Sequence, residues 1–288
     1  MKFAGSKREA GNLIARARAD GKTVGFVPTM GALHKGHTSL IEASSSEFSY
    51  TVVSIFVNPT QFGPDEDLGR YPRDLKRDLR IAEGAGASLV FAPSVEDMYP
   101  SGFTTFVEVK ALGDVLCGAS RPGHFRGVTT VVAKLLNIVR PDALYLGRKD
   151  AQQAIILSRL VRDLDLDVKV RVMRTVREPD GVALSSRNEY ISSGQRACAS
   201  RLFESLSKAG RLFEAGERDV RRIVAAARVI LDGEPQIDVE YLEARDAESL
   251  AELSRVESRT LLALAARIGG TRLIDNIILD PGAGSFEA

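Results

Sequence analysis

Apolar runs alternate with helical patterns along residues 1–175. Residues 23–29 and 50–57 are almost wholly apolar or β-branched, which predicts two buried strands, and we expect Pro28 to end the first because proline has no amide hydrogen for a ladder. Shorter runs predict further strands at residues 88–92, 104–109, 143–147 and 168–173. Helical patterns begin just after Gly36 and cover residues 74–83, 128–139 and 151–163. Continuous apolar strands separated by helices predict a doubly wound parallel sheet with both faces covered.

The pattern changes past residue 176. Helical stretches at residues 193–215 and 219–231 precede β-runs at residues 238–244, 260–268 and 271–279. The last two runs flank Gly269 and Gly270, and glycine accepts the positive φ that a tight hairpin turn requires. We therefore predict an α/β fold in which residues 1–175 form the parallel-sheet domain and residues 176–288 form a smaller α+β domain.

Composition narrows the class of protein. The chain has 288 residues and a formal net charge of +1, so it has no general attraction to nucleic acid or to anionic lipid. Two cysteines, Cys117 and Cys198, cannot build a disulfide scaffold or a cysteine-rich zinc site. The first residues lack the apolar run of a signal peptide, and no stretch approaches the roughly 18 apolar residues of a membrane span. We expect a cytoplasmic globular protein with neither nucleic acid nor a membrane as its partner.

The segment from Pro28 to His37 lies between the first predicted strand and its helix. A glycine-containing turn at a helix start presents backbone amides and the positive end of the helix dipole, which favours a bound anion. His34 and His37 are three residues apart, so both imidazoles can face one anion and donate hydrogen bonds to it. Two alternatives remain: a pair of structural histidines, and a metal site, for which HxxH without a third ligand is weak evidence.

Two further polar clusters follow predicted strands. Asn58 and Gln61 carry amides that donate and accept, as a hydroxyl-bearing substrate requires, although an ordinary Asn-Pro turn would also explain them. Lys149 suits a phosphate, whereas Asp150 either caps a helix or holds magnesium through water. Gln153 lies one turn further along that helix.

A last cluster, Ser185, Ser186 and Arg187, lies at the predicted domain junction. Arginine makes bidentate contacts with phosphate and the serines add hydroxyl donors, while a hinge with a helix cap is the alternative. In doubly wound sheets ligands bind at the carboxyl ends of the strands. The clusters together therefore predict a single site for an anionic, hydroxyl-bearing ligand.

Six motifs in these segments resemble the pantothenate synthetase (pantoate–β-alanine ligase) family, from Val24 to about Leu279. They are PTMGALHKGH (28–37), FVNPTQFG (56–63), YPRDL (71–75), RPGHFRGVTTVV (121–132), LGRKDAQQ (146–153) and LSSRN (184–188). The HxGH element alone indicates only the wider nucleotidyltransferase superfamily, and the NPTQF and KDxQQ elements narrow it. The resemblance implies a Rossmann-like domain with a C-terminal lid domain, a homodimer, and ATP-dependent condensation of (R)-pantoate with β-alanine. It also implies a pantoyl adenylate intermediate, release of AMP and pyrophosphate, and Mg²⁺.

The resemblance also assigns residues to ligands. His37 is the implied catalytic proton donor, with His34, Lys149 and Arg187 as further catalytic residues, and Gln61 is implied to contact β-alanine as well as pantoate. The implied ATP-binding residues are Met30, Gly31, Ala32, Leu33, His34, Lys35, Gly36, His37, Gly147, Arg148, Lys149, Asp150, Val176, Leu184, Ser185, Ser186 and Arg187. The implied pantoate-binding residues are Gln61, Phe62, Val128, Val131, Val132 and Gln153. No residue is assigned as a metal ligand.

Two positions depart from the family pattern: Arg148 stands where glutamate is common, and Ala151 where an aromatic residue is common. Other functions stay open at this point. A nucleotidyltransferase that stops at the nucleotidyl product, a nucleotide-binding regulatory protein without turnover, and a zinc-binding module would each share part of the pattern.

Overall fold

The computed structural model describes residues 1–64 and 66–288 and divides the chain into two compact units. The first unit contains Met1–Gly113, Arg121–Arg148 and Ile156–Met173. The second contains Asp114–Ser120, Lys149–Ile155 and Arg174–Ala288. The predicted domain limits, residues 1–175 and 176–288, stay a prediction. The compact units differ from them in two ways: two short segments before residue 175 belong to the second unit, and its last segment begins at Arg174.

A six-stranded sheet forms the first unit, and every pair of neighbouring strands is parallel. The strands are β1 (Lys2–Ala4), β2 (Val24–Thr29), β3 (Tyr50–Ile55), β4 (Leu89–Phe91), β5 (Ala143–Gly147) and β6 (Lys169–Met173). Their spatial order is β1-β4-β3-β2-β5-β6. The parallel α/β architecture predicted from the apolar runs is confirmed, although β1 carried no sequence signal that we used.

Seven α-helices lie between Lys7 and Asp163 in the described part of the chain. They are α1 (Lys7–Ala19), α2 (Lys35–Glu47), α3 (Leu75–Gly84), α4 (Val95–Met98), α5 (Cys117–Ser120), α6 (His124–Val139) and α7 (Ala151–Asp163). Residues of α2 and α3, among them Ile41 and Ala82, pack on Val27 and Val53 of the sheet in one buried cluster. Alternate residues such as Phe26 point to the opposite face, where α6 contacts β2.

Pro28 does not end its strand, so that expectation is wrong. β2 continues to Thr29, whose carbonyl accepts from Phe56 N on the β3 side. Backbone groups of successive strand residues point alternately to the two neighbouring strands, so those of Pro28 point to the β5 side, like the Val24 carbonyl that accepts from Asp142 N. The β2–β5 pairing itself ends at Phe26 and Leu144. The missing amide hydrogen of Pro28 therefore interrupts no β2–β5 pair.

The predicted strand at residues 104–109 is also wrong, because this segment belongs to no strand. Threonine hydroxyls of α6 bind its backbone instead. Val107 N donates to Thr130 Oγ1 at 3.0 Å, and Thr129 Oγ1 donates to Val107 O at 2.6 Å. The β-branched sequence does favour an extended backbone, but a helix rather than a neighbouring strand satisfies its polar groups.

An antiparallel sheet with strand order β10-β9-β8-β7 forms the centre of the second unit. Its elements are α8 (Ser193–Glu214), α9 (Val220–Asp232), β7 (Ile237–Asp246), β8 (Thr260–Ile268), β9 (Thr271–Asp280) and β10 (Ser285–Glu287). Gly269 and Gly270 turn between β8 and β9 with φ of 54° and 88°, as the hairpin prediction requires. Leu206, Phe213, Ile223 and other buried residues of α8 and α9 form the core with the sheet.

Candidate active site

The loop after β2 is held in place by one buried carboxylate of α3. Asp78 is 1% exposed, and its two oxygens accept from the backbone N–H groups of Ala32 (2.9 Å) and Leu33 (2.8 Å). Gly31 and Ala32 both have positive φ, 87° and 50°. A Cβ on Gly31 would lie 2.9 Å from Asp78 Oδ2, so glycine is required here for space as well as for conformation. Asp78 therefore determines the path of the loop that leads to α2.

His34 and His37 cap the N-terminus of α2, and each does so by accepting a backbone N–H at its Nδ1 atom. Gly36 N donates to His34 Nδ1 at 3.2 Å, and His34 N donates to His37 Nδ1 at 3.3 Å, with ring centroids 4.0 Å apart. A ring nitrogen that accepts carries no proton, so each neutral imidazole has its proton on Nε2. The reciprocal capping fixes both rings and gives each an N–H donor on the edge remote from the backbone.

Asn58 and Gln61 form a buried amide pair in the short 3₁₀ turn after β3. Asn58 Nδ2 donates to Gln61 Oε1 at 3.0 Å and to Gly127 O at 3.2 Å, while Tyr99 Oη donates to Asn58 Oδ1 at 2.8 Å. Gln61 Nε2 contacts Met30 Sδ at 3.3 Å, which joins this turn to the loop after β2. Because Asn58 binds Gln61, Gly127 and Tyr99, its role is structural: it orients the side-chain amide of Gln61.

The Gln61 carbonyl is bound from the start of α6. His124 Nδ1 lies 2.8 Å from Gln61 O, and Arg121 Nη2 donates to the same oxygen at 3.3 Å. The Arg121 guanidinium also forms a bidentate pair with Glu66. Burial is the largest single influence on the pKa of Glu66 and raises it, but the hydrogen bond and charge of Arg121, the Gly63 amide and the charge of His124 together hold that pKa below its usual value. These residues line a cavity of about 200 Å³ together with Phe62 and Arg126. Gln61 is thus fixed through both its backbone and its side chain.

The apolar wall expected for pantoate lies on α6. Val128, Val131 and Val132 are 2%, 5% and 5% exposed. The helix approaches the 3₁₀ turn closely, since a Cβ on Gly127 would lie 2.3 Å from Thr60 O. Glycine at this position lets α6 and the turn come into backbone contact.

In the second unit, the segment Lys149–Ile155 is attached through Gln152 and Lys149. Gln152 Oε1 accepts from Cys117 N at 3.0 Å, and Gln152 Nε2 donates to Val115 O at 2.7 Å. Lys149 O accepts from Asn276 Nδ2 of β9 at 3.0 Å, and Lys149 Nζ lies 3.4 Å from Asp150 Oδ1. Gln152 therefore has a structural role, whereas its neighbour Gln153 is the residue assigned to pantoate.

Five further residues predicted to bind the nucleotide belong to the last segment of the second unit: Val176, Leu184, Ser185, Ser186 and Arg187. Leu184 N donates to Val176 O at 3.0 Å, which brings these two predicted positions together. Ser185 Oγ accepts from Arg187 N at 3.3 Å and so caps the 3₁₀ helix Ser186–Tyr190. Ser185 therefore caps this helix, as the alternative interpretation expects, while the predicted contacts of Ser185 and of the Arg187 side chain with ATP stay predictions.

The structure places the predicted residues in two sets. The first unit contains residues 30–37, Gln61, Phe62, the three valines of α6, Gly147 and Arg148. The second contains Lys149, Asp150, Gln153, Val176 and residues 184–187. Sequence reasoning missed Asp78, which lies 46 positions from its partner Ala32. It also missed Asp275 and Asn276, two buried polar residues that interrupt the apolar run from Leu273 to Leu279 in β9, and that interruption is a signal that the sequence does contain.

Two negative findings concern the described residues. Across residues 1–64 and 66–288, no group of three or more His, Cys, Asp or Glu side chains could hold a metal ion. Within the same ranges, no helix combines the length and the apolar character needed to cross a bilayer.

The comparisons with known proteins agree with one another over nearly the whole chain. The family model for pantoate-beta-alanine ligase matches residues 3–278. A pantothenate synthetase of Moorella thermoacetica is 51% identical over 269 residues, 93% of this chain and 95% of the relative. One of Thermosipho melanesiensis is 54% identical over 259 residues, 90% of this chain and 92% of the relative.

Solved structures give the same result. The pantothenate synthetase of Thermus thermophilus superimposes with a TM-score of 0.93 at 43% identity, covering 98% of this chain and 100% of that one. A pantoate-beta-alanine ligase of Francisella tularensis, complexed with beta-gamma ATP and beta-alanine, superimposes with a TM-score of 0.79 at 36% identity, covering 96% and 97%. With the family model and these relatives in agreement, the chain belongs to the pantoate–β-alanine ligase family.

Proposed function

We propose an assignment of residues to the reaction of this family, the ATP-dependent joining of (R)-pantoate to β-alanine. In the first step a pantoate carboxylate oxygen attacks the α-phosphorus of ATP, and the bond to pyrophosphate breaks. In the second step the β-alanine amine attacks the acyl carbon of pantoyl adenylate, AMP leaves, and the amine loses a proton. The carboxylate is ionised at neutral pH, so the first step needs positioning and stabilisation of negative charge rather than a general base.

The observation that carries this assignment is that His34 and His37 each accept a backbone N–H hydrogen bond at Nδ1. Because both Nδ1 atoms accept backbone hydrogens, both Nε2 atoms are donors. Two fixed donors at a helix start suit the oxygens of a phosphate chain, whose charge moves onto pyrophosphate as the bond to it breaks. We assign ATP to residues 30–37, with His37 as the donor to the reacting phosphate.

In the second unit we assign the ammonium of Lys149 and the guanidinium of Arg187 to the phosphates of ATP. Ser186, Val176, Leu184 and the backbone of residues 147–150 complete the proposed nucleotide contacts. Lys149 is about one-fifth exposed, and its present contact is Asp150, whose carboxylate a bound phosphate would have to replace as a partner. Mg²⁺ binds nucleotides mainly through phosphate oxygens and retained waters, so we propose that it enters with ATP.

Pantoate is assigned to Gln61 and Gln153, with Phe62, Val131 and Val132 as apolar contacts. The Gln61 amide is oriented by Asn58 and Met30, so its geometry is set before any substrate binds. A fixed amide selects strongly against a ligand that lacks the matching hydroxyl, because its polar atoms would stay unpaired. A deoxy analogue of pantoate should therefore bind poorly. We assign the β-alanine contact to Gln61 as well.

Pyrophosphate and AMP release from purified protein test this function. With ATP, Mg²⁺ and pantoate we expect pyrophosphate release, and AMP release that requires β-alanine. His37→Ala should lower the rate of pyrophosphate release about 10²–10³-fold, as removal of a single oxyanion donor does. Thr38→Ala, one residue further along α2, is the matched control and should keep the wild-type rate.

Two outcomes would contradict the assignment. Pyrophosphate release by His37→Ala at the wild-type rate would remove His37 from the reaction. Release of pyrophosphate without AMP, even with β-alanine present, would favour a nucleotidyltransferase that stops at the adenylate. We further propose that the protein is a cytoplasmic homodimer, as the family resemblance implies, and light scattering of the purified protein tests the subunit number.

A further inference from the structure

Two adjacent polar residues interrupt the apolar sequence of β9. Asp275 and Asn276 are 4% and 3% exposed, and they lie between Ile274 and Ile277. Burying a carboxylate and an amide in the middle of a strand costs free energy unless both find partners. Their partners lie outside the antiparallel sheet, in two segments of the same unit to which the proposed function assigns ATP.

Asp275 binds the segment 174–188 through Arg177. The guanidinium donates to both carboxylate oxygens, from Nη1 at 2.6 Å and from Nη2 at 2.9 Å, and the Asp275 and Arg177 side chains are 4% and 12% exposed. Such a bidentate, desolvated pair has a narrowly defined geometry. Arg177 directly follows Val176 and pairs through its backbone with Ala183, next to Leu184.

The same guanidinium fixes the tip of this hairpin. Arg177 Nη1 donates to Gly181 O at 3.1 Å, and its Cζ lies 3.8 Å from the centroid of the Phe203 ring. Gly181 has a φ of +89°, and a Cβ there would lie 2.7 Å from Phe203 Cδ1. The hairpin that carries Val176 and Leu184 is therefore clamped between the Asp275 pair and an aromatic ring.

Asn276 binds the other segment. Its Nδ2 donates to Lys149 O at 3.0 Å across 127 residues of chain. The backbone of Asn276 is itself fixed, because its N–H donates to Asp275 Oδ1 at 2.7 Å. One carboxylate thus orients both the Arg177 guanidinium and the strand residue that holds the Lys149 backbone.

We infer that Asp275 and Asn276 are positioning residues for ATP, which order the Val176–Leu184 hairpin and the Lys149 backbone from one point on β9. The inference rests on the proposed function for its consequence in catalysis, since the residues they order are those assigned to the nucleotide. Neither Asp275 nor Asn276 is assigned a contact with substrate. Their effect is to hold two segments, far apart in sequence, in one fixed arrangement within the second unit.

Two substitutions separate the contact of Asp275 with Arg177 from the contact of Asn276 with the Lys149 backbone. Asn276→Ala removes the donor to Lys149 O and leaves the Arg177 pair in place. Arg177→Lys keeps the positive charge but loses the bidentate geometry and the contact with Gly181 O. Glu240→Gln is the matched control: Glu240 of β7 pairs with Arg272 of β9, with side chains 19% and 15% exposed.

Hydrogen exchange of the ligand-free protein reports the positioning directly. Asn276→Ala should speed amide exchange at residues 149–153 and leave residues 176–184 unchanged, and Arg177→Lys should do the reverse. With ATP as the probe, each variant should raise KM for ATP about threefold to tenfold, the loss expected of one hydrogen bond, with KM for pantoate within twofold of wild type. Glu240→Gln should lower the melting temperature without raising KM for ATP.

The inference is overturned if exchange at the two segments is unchanged, or if Glu240→Gln raises KM for ATP as much as Asn276→Ala does. A purely structural role would lower the melting temperature of all three variants and leave KM for ATP unchanged, which also overturns it. Lys149→Ala distinguishes a failure of the proposed function from a failure of this inference. If that variant binds ATP like wild type, the phosphate role of Lys149 is refuted, while the exchange pattern still decides whether Asn276 orders the segment.

Discussion

Asp78→Asn tests whether a single carboxylate of α3 determines the conformation of the loop after β2, to which we assign ATP. The substitution keeps the shape of the side chain and one acceptor oxygen, but places an NH₂ group against the N–H of Ala32 or Leu33. Asp78 is buried and accepts both N–H groups at 2.8–2.9 Å, so one charge-assisted hydrogen bond is lost without replacement by water. A hydrogen bond to a charged group contributes about 1.5–3 kcal/mol, and we expect a loss of stability of that size.

Thermal unfolding and steady-state kinetics measure the two consequences. The chain contains no tryptophan, so unfolding is followed by circular dichroism, and a loss of this size should lower the midpoint by roughly 3–10 °C. KM for ATP should rise about threefold to tenfold, since the loop that carries Met30 to His37 loses its anchor. The control is Asp74→Asn, because Asp74 caps the same helix by accepting from Arg77 N at 3.0 Å, and asparagine caps as well as aspartate.

The reasoning about Asp78 would be refuted by a midpoint and a KM for ATP that match those of Asp74→Asn. An equal loss of stability in both variants would mean that α3, rather than the loop, responds to the charge. Loss of stability in Asp78→Asn with an unchanged KM for ATP would mean that the loop is held by other contacts.

Two further predictions concern packing and pH. Gly127→Ala should destabilise the fold by about 1–3 kcal/mol and raise KM for pantoate, because the new Cβ would lie 2.3 Å from Thr60 O; Gly11→Ala, where a Cβ meets nothing within 4 Å, is the control and should be neutral or stabilising. A large pantoate effect with Gly11→Ala, or none with Gly127→Ala, would contradict this account. Hydrogen bonds from Arg171 and then Tyr145 lower the pKa of Glu47 from 4.5 to about 2, so its contribution to stability is complete above pH 4.5 and is lost as the pH falls towards 2. Glu47→Gln should therefore be less stable than wild type at pH 7, and the difference should shrink between pH 4.5 and 2 in acid-unfolding curves; a constant difference would argue against the pair.

Elements whose signal is local were predicted closely from the sequence. The helix at residues 151–163 and the strands at 143–147 and 260–268 have the predicted bounds, because each combines an apolar run or a helical period with clear flanking residues. Residues 104–109 show where this reasoning fails. Their β-branched pattern does predict extended backbone, but no local signal tells whether a strand or the hydroxyls of Thr129 and Thr130 will bind it.

Residues of the candidate site also differ in whether their signal is local in the sequence. His34 and His37 could be found because both lie in one turn and their spacing has a direct chemical meaning. The residues that position the site could not, since Asp78 reaches the loop from another helix and Asn276 reaches Lys149 across 127 residues. Such contacts form only in the tertiary structure, and they leave no local pattern in a single sequence.

The two-sided use of each imidazole limits what can replace it. Asparagine can reproduce the Nδ1 edge and would keep the helix cap, whereas glutamine can reproduce the Nε2 edge and would keep the outward donor. Neither amide spans both edges, because only a five-membered ring holds two nitrogens at that separation. His34 and His37 therefore each cap α2 with one ring nitrogen and present a donor with the other, so replacing either residue by asparagine or glutamine would keep one of these properties and lose the other.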